Sequence, residues 1–86
     1  MIEMYTSDYC FYCKRAKALF DQLGVDVTEI NIQHDAGLKE KMINRANGLR
    51  TVPQIFINNI HIGGCDELYH LHQQGELESL LKGDQT

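Results

Sequence analysis

The sequence predicts an α/β fold in which strands and helices follow the order β-α-β-α-β-β-α. Two observations support this prediction. Over the first half of the chain, strand-like apolar runs alternate with apolar residues at helical spacing. The only proline, Pro53, then opens a pair of short β-branched runs that an asparagine pair connects. A third observation concerns chemistry: Cys10 and Cys13 stand where the first strand passes into the first helix.

The first third of the chain predicts a strand–helix–strand unit. Ile2–Thr6 is a short apolar run. From about Cys10 to Leu23, apolar residues recur at helical spacing, and Gly24 follows, a residue that readily adopts the left-handed conformation beyond a helix end. The segment Val25–Ile32 is rich in β-branched residues, which predicts a second strand. Two strands and a helix within about thirty residues predict parallel pairing with a right-handed crossover.

The middle of the chain predicts a turn, a helix and a hairpin. Residues 34–37 are turn-like, and the apolar spacing over residues 38–46 predicts a second helix. Proline is tolerated as the first residue of a strand, so the segment Pro53–Ile57 is predicted to begin a third strand. Asparagine tolerates positive φ, and Asn58-Asn59 therefore predicts a two-residue turn into a fourth strand, Ile60–Ile62.

The C-terminal quarter predicts two short helices. Asp66 follows Gly63-Gly64-Cys65 and is a candidate N-cap for the first helix. A second short helical piece follows Gly75, with leucines on one face, and residues 82–86 are predicted to be frayed.

Length and composition restrict the classes of protein to consider. With 86 residues, 43% hydrophobic and 23% charged, the chain predicts one folded domain spanning residues 1–86. A net charge of −4 gives no electrostatic support for nucleic-acid binding. No apolar run reaches the roughly 18–20 residues that span a membrane, and no secretory signal is visible. Three cysteines, an odd number, do not suit a disulfide-stapled secreted domain, so we expect a cytoplasmic protein with reduced thiols. We also expect a monomer.

The two cysteines of Cys10-Phe11-Tyr12-Cys13 have different predicted surroundings. Cys10 lies at a helix N-terminus, where unpaired N–H groups and the helix dipole favour an anion, and Cys13 lies on the apolar face. Such surroundings lower a cysteine pKa from about 8.5 to roughly 3.5–7.5. A thiol three residues along can then resolve a mixed disulfide. Zinc binding is the alternative, but a structural zinc needs about four ligands. Cys65 and the four histidines supply no paired spacing, so redox use is favoured and no metal site is predicted.

Three motifs, in this order and spacing, resemble the small dithiol glutaredoxins of the thioredoxin-fold superfamily. They are Tyr5-Thr6 leading to Cys10-Phe11-Tyr12-Cys13, then Thr51-Val52-Pro53, and Gly63-Gly64-Cys65-Asp66. The resemblance covers essentially the whole chain. It implies a thioredoxin-like fold with a central four-stranded mixed sheet flanked by helices. It also implies a glutathione-dependent thiol–disulfide oxidoreductase that reduces protein disulfides and glutathionylated thiols, with glutathione as co-substrate and no permanently bound cofactor.

The resemblance assigns roles to individual residues. Cys10 would attack and Cys13 would resolve. Pro53 would be a cis proline facing the dithiol, and the segment before it would bind the cysteine portion of glutathione through its backbone. N–H groups at the helix start would attract the γ-glutamyl carboxylate, and Asp66 its ammonium. The implied glutathione-binding residues are Tyr12, Thr51, Val52, Pro53, Gly64, Cys65 and Asp66.

Two positions depart from the family pattern. Phe11 replaces a proline that many dithiol members have, and Ser7 replaces a lysine that meets the glycine carboxylate of glutathione. Arg50 and Lys39 are candidate substitutes for that lysine. Cys65 itself is interpreted as a buried filler, with a third redox thiol as the alternative.

Two rival functions stay open at this point. One is an electron donor that thioredoxin reductase reduces. The other is a dimer that holds a [2Fe–2S] cluster through Cys10 and glutathione, for which Phe11 in place of a rigid proline leaves room.

Overall fold

The computed structural model describes residues 1–82 and contains a four-stranded mixed sheet with helices on both faces. The strand order is β2-β1-β3-β4. Strand β1 runs parallel to β2, whereas β1–β3 and β3–β4 are antiparallel pairs. The predicted α/β, thioredoxin-like architecture is confirmed, and the second short helical piece forms a helix of its own. The elements are β1 (Ile2–Thr6), α1 (Phe11–Leu23), β2 (Thr28–Asn31), α2 (Ala36–Arg45), β3 (Gln54–Ile57), β4 (Ile60–Gly63), α3 (Cys65–Gln73) and α4 (Glu76–Leu81).

The two central strands, β1 and β3, supply the core on both faces of the sheet. Because side chains alternate along a strand, Met4 and Ile55 face one layer and Tyr5 and Phe56 face the other. The first layer joins α1, α3 and α4, and the second joins α2. All four residues of β3 are buried, as expected for a strand that is covered on both faces. No helix within residues 1–82 is long and apolar enough to cross a membrane.

Two predicted starts, those of β2 and α2, were wrong by more than one residue, and other boundaries differ by one residue. Strand β2 begins at Thr28, because it pairs with β1 only from Glu3 onward, and the half-buried Val27 precedes it. Helix α2 begins at Ala36 rather than after the turn, because the Asp35 side chain accepts a hydrogen bond from the Leu38 N–H at 3.0 Å. An aspartate in that position is a recognisable N-cap.

The hairpin and the helix after it differ from the prediction in one respect. Asn58 and Asn59 both have positive φ, 50° and 67°, which confirms the predicted turn. Helix α3, however, is capped at Gly64, and Asp66 lies in its first turn, so the predicted capping role of Asp66 was wrong. The Glu67 carboxylate accepts a hydrogen bond from the Gly64 N–H at 2.7 Å, which closes the helix start without a capping side chain at Gly64. Of the segment predicted to be frayed, residues 83–86 lie outside the described residues.

An ion pair joins α2 to the sheet. Arg45 donates hydrogen bonds to Glu3 and to the Tyr5 hydroxyl, each at 3.0 Å, and its guanidinium lies 4.0 Å above the Phe56 ring. The side chains of Arg45 and Glu3 are only 23% and 20% exposed. The hydrogen bond to Glu3 is the largest cause that raises the pKa of Arg45 above its ordinary value. The guanidinium therefore stays charged throughout the usual pH range.

We expect Arg45→Met to lower the free energy of unfolding by about 1–3 kcal/mol, because it leaves a largely buried carboxylate unpaired. Lys17→Met is the matched control. It removes the pair between Lys17 and Glu29, whose side chains are 48% and 41% exposed, and should cost no more than about 0.5 kcal/mol. Urea unfolding of the two variants checks this prediction, which equal losses would contradict.

Candidate active site

The dithiol lies at the N-terminus of α1. Cys10 is the N-cap, and a disulfide joins it to Cys13 with the Cα atoms 5.2 Å apart. The Cys13 N–H donates a hydrogen bond to the Cys10 sulfur at 3.1 Å. Cys13 is buried, whereas Cys10 is half-buried rather than fully exposed. The predicted asymmetry between an accessible and a sheltered sulfur is present.

The first turn of α1 favours a thiolate at Cys10 once the disulfide is reduced. It contains no acidic residue, and the exposed Lys14 and Arg15 follow Cys13 directly. Backbone N–H groups at a helix N-terminus, together with the helix dipole, stabilise a negative charge at the N-cap. Cys10 is therefore the sulfur suited to nucleophilic attack, and Cys13 is placed one turn away to displace a bound partner.

A polar network ties the loop before Cys10 to the end of β2. The Asp8 carboxylate accepts a hydrogen bond from the Asn31 side chain at 2.9 Å and lies 3.6 Å from His34. The Asp8 N–H donates to the Gln33 side chain at 3.1 Å. This network engages the Asp8 carboxylate with partners of its own.

A groove of about 170 Å³ gathers all the residues that the resemblance assigned to glutathione binding. The Val52–Pro53 peptide bond is cis, as the resemblance implied. The groove has one lining residue that sequence reasoning missed, Glu67, although its position three residues after the helix cap is a recognisable signal. Its lining residues are Tyr12, Thr51, Val52, Pro53, Gly64, Cys65, Asp66 and Glu67.

At the start of α3, at one end of this groove, backbone N–H groups lie beside two carboxylates. Glu67 already occupies the Gly64 N–H, so the next N–H groups of the helix start are the ones that remain for an anion. The exposed carboxylates of Asp66 and Glu67 lie beside them. The groove end therefore suits a group that carries both a carboxylate and an ammonium, as an amino-acid terminus does.

A second groove, of about 220 Å³, adjoins the first at Val52. It contains Ser7, where the family lysine is missing, together with Lys39 and Arg50. Both candidate substitutes for that lysine are thus brought to the place where its charge is absent.

A larger groove, of about 640 Å³, lies between β4 and the last two helices. It includes Asp66 and Glu67 but neither active-site cysteine, so its size does not make it the reaction site. Within residues 1–82, no three His, Cys, Asp or Glu side chains gather as metal ligands.

Cys65 lies under the groove and packs into the core. It is unpaired and 5% exposed. Burial is the main cause that raises the pKa of its thiol above the ordinary value of 9.0, and the nearby Arg15 guanidinium opposes this shift only in part. The thiol therefore remains protonated at neutral pH, which agrees with its interpretation as a filler.

We expect Cys65 in the reduced protein to react with iodoacetamide at least about tenfold more slowly than Cys10, because the thiolate is the reactive form. Raising the pH should not remove this difference until the pH passes above 9.0, since the folded-state pKa lies above that value. As the pH rises past about 9.0, Cys65 loses its proton in the unfolded chain before it does so in the folded protein. The free energy of unfolding should therefore fall as the pH rises through this range. Peptide mass mapping of timed reactions measures the two rates, and equal rates at neutral pH would contradict the prediction.

Comparisons with known proteins find related sequences and structures. The family model for glutaredoxin matches residues 2–62. Glutaredoxin 3 of Escherichia coli strain K12 is 52% identical over 81 residues, which cover 94% of this chain and 96% of that protein. The buckwheat glutaredoxin–glutathione complex has a TM-score of 0.87 and 35% identity, covering 95% of this chain and 76% of that one. The solution structure of glutaredoxin from Brucella melitensis has a TM-score of 0.84 and 44% identity, covering 99% and 91%.

Proposed function

This chain belongs to the glutaredoxin family and is a thiol–disulfide oxidoreductase, and we propose that glutathione is its reducing co-substrate. The observation that carries the proposal is the groove beside the dithiol. It combines an exposed backbone segment before Pro53 with a helix start that suits an amino-acid terminus. The buckwheat relative was crystallised as a complex with glutathione, which supports the same ligand here.

On glutathionylated substrates, the proposed reaction needs only Cys10. Its thiolate attacks the glutathione sulfur of the mixed disulfide, and the substrate thiolate leaves. A second glutathione thiolate then attacks the sulfur of the bound glutathione. Oxidised glutathione is released, and the Cys10 thiolate is regenerated. Each step exchanges one disulfide for another, so no further oxidant or reductant is required.

On protein disulfides, the proposed reaction needs both cysteines. Cys10 forms a mixed disulfide with one substrate sulfur, and the other substrate sulfur leaves as a thiolate. The Cys13 thiolate then attacks Cys10, which releases the reduced substrate and forms the Cys10–Cys13 disulfide. Two glutathione molecules reduce that disulfide and become oxidised glutathione.

A pair of coupled assays tests the choice of reductant. NADPH oxidation is followed with glutathione and glutathione reductase, and separately with thioredoxin reductase, using one glutathionylated peptide and one protein disulfide. We expect turnover with glutathione on both substrates. Turnover with thioredoxin reductase alone would replace this proposal by the electron-donor alternative. A visible charge-transfer absorption in freshly purified protein, with a dimer in solution, would instead favour the [2Fe–2S] alternative.

We further propose that the protein works as a monomer in the cytoplasm. A reducing compartment is consistent with the unpaired Cys65 and with a dithiol that must cycle through its reduced form. Size-exclusion chromatography with light scattering, on reduced protein and with glutathione present, tests the oligomeric state.

Arg50 is proposed to meet the glycine carboxylate of glutathione in place of the missing lysine. We expect Arg50→Ala to raise the KM for glutathione by roughly two- to tenfold, because it removes a charge-assisted contact in a solvated groove. The effect should shrink as salt rises. Lys41→Ala removes a charge from an exposed position of α2 outside the groove and is the control. Steady-state kinetics at two ionic strengths measure both variants, and equal KM changes would refute the assignment.

A further inference from the structure

Gln54, the first residue of β3, is a buried polar side chain that the proposed mechanism leaves unused. It is 1% exposed and is followed by the buried apolar residues Ile55 and Phe56. A buried amide is unfavourable unless it is hydrogen-bonded, and within residues 1–82 no buried side-chain nitrogen or oxygen lacks a partner. The partners of Gln54 therefore indicate its role.

The Gln54 amide connects the groove to the outer strand of the sheet. Its nitrogen donates to the Thr51 carbonyl oxygen at 3.1 Å and to the Thr51 hydroxyl at 3.3 Å. Its oxygen lies 2.7 Å from Nε2 of His61. A carbonyl oxygen can only accept, so the amide nitrogen must face Thr51 and the amide oxygen must face His61. Nε2 of His61 therefore carries a hydrogen and donates.

The sheet holds His61 in place for this contact. It stands opposite Phe56 in the β3–β4 pair, and the two ring centroids are 5.0 Å apart. Phe56 is buried, and the Arg45 guanidinium lies over its ring. Because these rings are packed, the imidazole has little freedom to turn away from Gln54.

Thr51 is the residue of these contacts that no helix or strand holds in place. It is exposed and lies between α2 and β3, outside helix and strand, yet it lines the groove beside Val52 and Pro53. Two bonds from one buried amide hold both its carbonyl and its hydroxyl. A backbone edge that is already ordered loses less conformational freedom when a ligand binds.

We propose that Gln54 and His61 are positioning residues for glutathione, which act by holding Thr51 so that the segment Thr51–Pro53 presents its backbone to the ligand. This inference rests on the proposed function. Neither residue reaches the sulfur atoms in this role. Their loss should therefore weaken glutathione use while leaving the reactivity of Cys10 unchanged.

The first test is Gln54→Met, which keeps the length of the side chain and removes its hydrogen bonds. We expect the KM for glutathione to rise about three- to tenfold, with kcat within about twofold. The direct rate at which reduced Cys10 attacks dithiodipyridine, a disulfide that lacks the groups of glutathione, should not change. Urea unfolding reports the stability of each variant separately.

The second test uses the less buried His61, in case Gln54→Met does not fold. His61→Phe keeps a ring against Phe56 but cannot donate, and should raise the KM about two- to fivefold. His61→Gln restores a donor and should return the KM toward the original value. In the Gln54→Met background, His61→Phe should have no further effect on KM, because His61 reaches Thr51 only through Gln54.

The outcomes separate this inference from the proposed function. The positioning role would be overturned if folded Gln54→Met or folded His61→Phe had an unchanged KM for glutathione. It would also be overturned if the effects of the two substitutions on KM were additive. Neither result would affect the proposed function, because the original protein would still turn over glutathione. If the variants lost stability but kept the same KM, the contacts of Gln54 would serve only the stability of the fold, and the positioning role would likewise be overturned. If the original protein shows no glutathione-dependent turnover, the proposed function fails first and the inference fails with it.

Discussion

Replacing Cys10 by serine should reduce turnover to background on every substrate, whereas replacing Cys13 should not. Within residues 1–82, Cys10 is the sulfur at the start of α1, and the one cysteine outside the disulfide, Cys65, is buried with a raised pKa. Cys13→Ser should keep activity on glutathionylated peptide within about fivefold of the original. It should lose at least about tenfold on a protein disulfide, because no second thiol releases that mixed disulfide.

The measurement is the glutathione-coupled assay with both substrates, run on both variants. Mass spectrometry of Cys13→Ser after incubation with a protein disulfide should reveal a trapped mixed disulfide at Cys10, which serves as the positive control. Equal losses in the two variants on both substrates would overturn the division of roles between the two sulfurs.

Replacing Gly63 by alanine should have the largest effect on the groove without touching a sulfur. Gly63 has φ of +114°, a conformation that residues with a Cβ rarely adopt. A Cβ there would also lie 2.9 Å from the Glu67 carboxylate oxygen and 3.0 Å from its Cγ. We expect a loss of roughly 2–5 kcal/mol in the free energy of unfolding from backbone strain and overpacking together. The displaced carboxylate would no longer close the start of α3, which forms one end of the groove, and the shape of that end would change. The KM for glutathione should therefore rise as well.

Gly48→Ala is the matched control for this prediction. Its φ is also positive, +90°, but a Cβ would have no neighbour within 4 Å, so it should show the backbone strain without the collision. Glu67→Ala in the Gly63→Ala background should recover part of the stability by removing the collision, but not the glutathione KM. Urea unfolding and the coupled assay measure all three. Equal effects at Gly63 and Gly48 would show that the collision with Glu67 is unimportant.

The sequence by itself determined the features that depend on local backbone chemistry. The apolar spacing of α1, the glycine at its end and the asparagine pair of the hairpin each impose a conformation on a few neighbouring residues. The spacing of Cys10 and Cys13 is likewise local, because one helical turn brings the two sulfurs together. These predictions held because nothing distant in the chain can change them.

Helix starts were predicted less well, although their signals are also local. Asp35 caps α2, and Glu67 closes α3 by reaching back to Gly64. Both signals are recognisable in the sequence, but the neighbouring residues also fit another structure. Residues 34–37 also fit a turn, and Asp66 also fits an N-cap. The geometry of the backbone on either side decided between them.

Only the tertiary structure decided which distant residues meet. Strand β2 is short because its pairing depends on the register with β1, and Arg45 finds Glu3 more than forty positions away in the chain. The contact from Thr51 through Gln54 to His61 exists because β4 folds back beside β3. A polar side chain in a strand does not indicate its partner, since hydrogen bonds between distant residues depend on the packed sheet rather than on sequence spacing.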